Sequence, residues 1–79
     1  MAYVTEITKS TSDYSTRAHR TCAAGWRVAE RDGRRVLQLD TYGSPERRDT
    51  GTVSQSLQLD EERARQLVSV IRQVFPSVK

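Results

Sequence analysis

Hydrophobic positions in this chain follow two periods, one near 3.6 toward the C-terminus and one of 2 in the middle. Ala64, Leu67, Val68, Ile71, Val74 and Phe75 recur at three- and four-residue spacing, which predicts an amphipathic helix from about Glu61 to Phe75. Both ends are specified locally. Asp60 stands at the N-cap position, Glu61 and Glu62 complement the positive end of the helix dipole, Arg72 sits in the last turn, and Pro76 stops propagation. Glu62, Gln66, Ser69 and Gln73 point away from the stripe, and Val70 widens it beyond what a lone helix on a sheet requires.

Upstream, Asp32-Gly33 lies between two alternating runs, a strong signal for a β-hairpin because both central residues of a type I′ turn need positive φ. The register follows: Arg31 opposite Arg34, Glu30 opposite Arg35, Val28 opposite Leu37 and Trp26 opposite Leu39. Trp26, Val28, Leu37 and Leu39 then share the core face, where Trp26 is expected to be buried. Arg27, Ala29 and Arg31 lie across from Gln38, Val36 and Arg34 on the other, exposed face, with Tyr42 continuing its parity.

A third alternating run, Thr52 to Leu59, turns Val53, Leu57 and Leu59 inward and Ser54, Ser56 and Gln58 outward. It follows the polar loop from Gly43 to Gly51. In the N-terminal part, eight of the first twenty-one residues are Ser or Thr. Only Tyr3, Val4 and Ile7 suggest a short strand there, and the shared parity of Tyr14, Ala18, Cys22, Ala24 and Trp26 suggests another that bends near Ala23-Ala24-Gly25 and feeds the hairpin. The fold class is therefore α+β: a three- to four-stranded antiparallel sheet followed by one C-terminal amphipathic helix. Residues 1–23 form an N-terminal strand or loop segment of the same domain, and 24–79 form the sheet-plus-helix unit.

Composition narrows what such a domain does. Seventy-nine residues with 35% hydrophobic content and a mean hydropathy of −0.70 supply a lean core, and small scaffolds of this kind need a staple. The single Cys22 makes no intrachain disulfide and no metal-ligand cluster is present, so homodimerisation through the helix stripe is the expected staple, with Leu67, Val70, Ile71 and Val74 at the interface. No stretch approaches the length of a membrane span and no apolar run follows a basic start, so a cytoplasmic location is expected.

The formal net charge is +3, and between positions 17 and 48 eight arginines face four carboxylates. A local excess of this kind favours a polyanionic partner, although a solvated surface explains a charge run more often than a binding site does. No catalytic set assembles. His19 and Cys22 lack the further ligands or orienting group that a metal site or nucleophile requires, and Asp60, Glu61 and Glu62 are accounted for by helix capping. The chain is not expected to be an enzyme or to hold a cofactor.

Gly33-Arg34-Arg35-Val36-Leu37-Gln38-Leu39-Asp40-Thr41-Tyr42, and later Leu57-Gln58-Leu59-Asp60-Glu61-Glu62 with Leu67 beyond, give a glycine turn, basic residues, an aliphatic strand, a polar loop and a short strand running into a capped helix. This order resembles the positive-cofactor-four transcriptional coactivators and their small bacterial single-stranded DNA-binding relatives, over about Gly25 to Phe75. The resemblance implies a homodimer whose helices pack between protomers and whose basic and aromatic sheet face binds single strands with little sequence preference. Arg27, Arg31, Arg34 and Arg35 would then occupy the basic hairpin, and Tyr42 would lie near the family's aromatic. Two features depart from the family: Val53-Ser54-Gln55-Ser56 stands where the family carries basic residues, and Gly43 and Ser44 stand nearest its loop aromatic.

The candidate nucleic-acid-binding residues are accordingly Arg27, Arg31, Arg34, Arg35, Gln38, Tyr42, Arg47 and Arg48, the last two from the loop. Single-stranded DNA or RNA is the expected partner, since guanidinium groups neutralise phosphates and aromatic rings stack on bases. The alternative is a protein-interaction module that uses the dimer or an open sheet edge, motivated by the neutral face from Ser54 to Gln58.

Overall fold

Asp32 and Gly33 take φ of 52° and 77°, the left-handed pair that a two-residue type I′ connection demands. The computed structural model, which describes residues 1–11, 17–43 and 53–79, builds the rest of the sheet outward from this turn. Strands β2 (Ala24–Arg31) and β3 (Arg34–Tyr42) pair antiparallel in the expected register, with Trp26 opposite Leu39, Val28 opposite Leu37, Glu30 opposite Arg35 and Arg31 opposite Arg34. Strand β4 (Val53–Leu59) pairs antiparallel with β3, placing Leu59 and Leu57 across from Leu37 and Leu39.

The fourth strand corrects the expectation of an all-antiparallel sheet. Strand β1 (Ala2–Tyr3) runs parallel to β4, with Ala2 opposite Leu57 and Tyr3 opposite Gln58, so the sheet is mixed with order β1-β4-β3-β2. Of the short strand expected at Tyr3, Val4 and Ile7, only Tyr3 falls within it. A pairing partner 55 positions away leaves no local trace. The N-terminal segment is therefore tied into the sheet-plus-helix unit: the Val4 N–H donates to the Gln58 carbonyl at 2.9 Å, and Arg63 Nη1 donates to the Thr5 carbonyl at 2.6 Å. The other expected strand, through Ala18 and Cys22, does not form in 17–23, and Tyr14 lies outside the described residues.

A bulge corrects the inward placement of Val53. The register advances by one residue on β3 and two on β4 between Thr41 and Tyr42, setting Val53 across from Tyr42 rather than in line with Leu57 and Leu59. The start of this run at Thr52 lies outside the described residues.

Helix α1 (Glu61–Val74) begins where the sequence placed it. The Asp60 carboxylate accepts from the Arg63 N–H at 2.7 Å, and Phe75 closes the helix with its N–H on the Ile71 carbonyl. The helix lies against β3 and β4 and does not reach β2. Leu59 is consequently buried and Leu37 and Leu39 half-buried, whereas Trp26 and Val28, on the same face one strand further out, remain 72% and 58% exposed. The expected burial of Trp26 is thus not met within one chain. Its parity was right, but the helix is too narrow to cover three strands.

The four residues assigned to a dimer interface divide in two. Leu67 and Ile71 are half-buried alongside Ala64, while Val70 and Val74 are exposed, as are Val68 and Phe75. Val36 gives a further correction. It lies on the face expected to be solvated, yet it is only 3% exposed. No described helix is long and apolar enough to cross a membrane.

Candidate nucleic-acid interface

Alternation along β2, β3 and β4 puts Arg27, Ala29, Arg31, Arg34, Val36, Gln38, Asp40, Tyr42 and Gln58 on the sheet face opposite α1. The parallel pairing adds Tyr3, which stands in one cross-strand row with Gln58, Gln38 and Arg27. Guanidinium, amide and aromatic groups therefore share one surface. Several of them are already engaged with one another.

Asp40, at 1% exposure, organises the centre. Arg27 Nη2 lies 2.9 Å from its Oδ2, Gln38 Nε2 donates to its Oδ1 at 2.9 Å, and the Ser56 side chain hydrogen-bonds to it as well. The Gln38 hydrogen bond, then those of Ser56 and the Arg27 charge, hold the carboxyl below its ordinary value against the opposing effect of desolvation. Gln58 Nε2 in turn donates to Gln38 Oε1 at 2.8 Å, so a relay runs across two strands from Gln58 through Gln38 to the carboxylate.

Arg31 is engaged differently. Its guanidinium carbon sits 4.0 Å from the centroid of the Tyr3 ring, a cation–π contact between the two outer strands of the sheet. Arg34, across from Arg31 at the hairpin end, is exposed.

Arg35 stands opposite Glu30, on the helix-side parity, and lines a cleft there with Arg34, Asp60, Glu61 and Glu62. Tyr42 keeps its predicted face, half-buried, but its ring covers Gly25: a Cβ there would meet the Tyr42 hydroxyl at 2.8 Å and the ring at 3.3 Å. Glycine at position 25 is what lets the aromatic lie flat on the strand. Arg47 and Arg48 lie outside the described residues. Among the described residues no group of His, Cys, Asp and Glu is placed to hold a metal, and Cys22 is a free exposed thiol.

The structure thus places Arg27, Arg31, Gln38 and Tyr42 on one face together with Tyr3, Gln58 and Asp40, puts Arg34 at its hairpin end, where it also lines the helix-side cleft, and turns Arg35 to the helix side. Gln58 had the correct outward parity and was legible. Tyr3 was readable as part of a short strand, but nothing near it in the chain reveals that this strand pairs with β4. Comparison of the chain with protein-family models, with curated proteins and with solved structures finds no match to any of them.

Proposed function

We propose that this chain is a non-catalytic, homodimeric single-stranded nucleic-acid-binding protein, an accessory factor in transcription or DNA metabolism. The observation that carries the reading is the composition of the sheet face opposite α1, where Arg27, Arg31 and Arg34 share a surface with the Gln38 and Gln58 amides and with Tyr3 and Tyr42. Such a face meets single strands with cations for phosphates, rings for bases and amides for base edges. Arg34 is exposed, and Arg27 retains a side chain 56% exposed despite its partner.

The dimer part of the proposal rests on the other face. Trp26, Val28, Val68, Val70 and Val74 are exposed there, and a second copy that laid its helix flank over β2 would cover them. The same bare apolar area supports a second reading, a module whose partner is a different polypeptide.

Fluorescence anisotropy with a labelled single strand against a matched duplex separates the two. Binding of the single strand is expected. With three phosphates engaged, it should weaken about 20-fold on a fourfold rise in salt. Arg34→Ala, which disturbs no ion pair described here, should weaken it, and Arg27, Arg31 and Arg34 changed together to Ala should abolish it. A flat titration at low salt would reject nucleic-acid binding in favour of the protein-interaction module.

A further inference from the structure

Beside the arginines, the same face holds a pocket of about 290 Å³ lined by Met1, Ala2, Tyr3, Gln38, Ser56 and Gln58. Pockets for small molecules begin near 300 Å³, so the room suits one ring system rather than a run of nucleotides. Its chemistry follows from Asp40. An ionised carboxylate only accepts hydrogen bonds, so the group facing it must be Gln38 Nε2, which leaves Gln38 Oε1 to accept from Gln58 Nε2. The buried charge thereby fixes the orientation of both amides. Gln58 Oε1 is turned away from the relay as an acceptor, and its nitrogen keeps a second N–H.

Tyr3 supplies the wall. Arg31 sits on its ring but does not line the pocket, so the cation holds the ring in place without filling the space beside it. An aromatic plane next to a glutamine with a free acceptor and a free donor matches a nucleobase: a π-face to stack and an edge with both hydrogen-bonding senses.

We infer that this pocket takes one unstacked nucleobase of a bound strand, stacked on Tyr3 with its amino-bearing edge on the Gln58 amide. Adenine and cytosine are the bases whose amino group stands beside a ring-nitrogen acceptor, the pair that a glutamine amide matches, so dA is expected to bind ahead of dT, which has no amino group. The inference rests on the proposed single-strand reading of this face and names its base-recognising part. Arg31 acts in it as a positioning residue for the Tyr3 ring, and Asp40 as the anchor that aims Gln58.

The test uses the full chain and labelled twelve-residue strands of dA, dT and rA, read by anisotropy with the chain unmodified or carrying Tyr3→Phe, Tyr3→Leu or Gln58→Met. Tyr3→Phe keeps the ring and should stay within about twofold, whereas Tyr3→Leu should lose about 5- to 150-fold, the range set by one base–aromatic stack. Gln58→Met should erase the preference for dA over dT. Tyr3-dependent binding of dA or rA supports the site and identifies which sugar it accepts. In the unmodified chain, the Tyr3 ring protons should shift on titration with dA, which keeps the test open if Tyr3→Leu fails to fold. Strands that bind and respond to Arg34→Ala while Tyr3→Leu, Tyr3 shifts and base preference all stay unchanged would overturn the pocket and leave the face assignment standing. No binding of any strand by the unmodified chain would remove both.

Discussion

Asp40 shows what a single residue does when alternation alone is used to judge its surroundings. Read by parity, it is one more carboxylate on a solvated face among the arginines. In the fold it is buried in the middle of β3, and its neighbours Arg27, Gln38 and Ser56 turn toward it. Burial of this kind was not legible, because the cover comes from side chains that fold inward over the sheet rather than from another element. The same residue makes stability depend on acid. Its folded-state pKa is lowered from the ordinary 3.8, so its contribution is fully present above that value and is lost as pH falls through the lower, folded one. Urea unfolding of the chain and of Asp40→Asn, compared from about pH 5 down to about pH 2, should show a steeper loss of stability in the unmodified chain. Equal pH slopes for the two would mean that the carboxylate is not held by the contacts described.

Among the elements, those with short-range instructions were legible and those without were not. The hairpin register was readable because a two-residue turn leaves no freedom in pairing, and the helix limits were readable because Asp60 and Pro76 bracket an apolar stripe. The bulge on β4 that re-aims Val53, and the addition of β1 to the far edge of that strand, depend on partners distant in the chain. Gly33 offers a clean measure of the hairpin. Its φ is +77° and no heavy atom lies within 4 Å of where a Cβ would be, so a larger side chain there meets a conformational cost and no clash. Gly33→Val is expected to destabilise the chain by about 1–2 kcal/mol, with an unchanged urea m-value, when followed by circular dichroism. A variant as stable as the parent would show that the left-handed turn is not occupied in solution.

At the scale of the whole molecule, the surface is too large for the mass. A folded monomer of 9.0 kDa is expected to expose about 4,900 Å², and this chain exposes 7400 Å². Its radius of gyration, 14.5 Å, likewise exceeds the roughly 12 Å of a typical domain of this length. The lean composition anticipated a core needing support, but which apolar residues would be left bare became visible only when the helix was seen to stop short of β2. The proposed dimer makes a direct prediction. Light scattering at micromolar concentration should give twice the chain mass, and Trp26→Glu with Val28→Glu should give a folded monomer, since both side chains are exposed within one chain. A parent protein that is a cooperative monomer at that concentration would leave the bare face to a different partner.

The strand that begins the chain pairs with the one that precedes the helix, and Arg63 fastens Thr5 across 58 positions. Local hairpin closure is quick, whereas contacts this distant form only after the intervening chain has been organised. During synthesis the arginine-bearing hairpin is complete while Tyr3 still lacks the neighbour that fixes it. On the proposed single-strand reading, a nascent chain would therefore acquire its cations before its base-stacking wall, and premature contact with a strand would be electrostatic and indifferent to which base is offered.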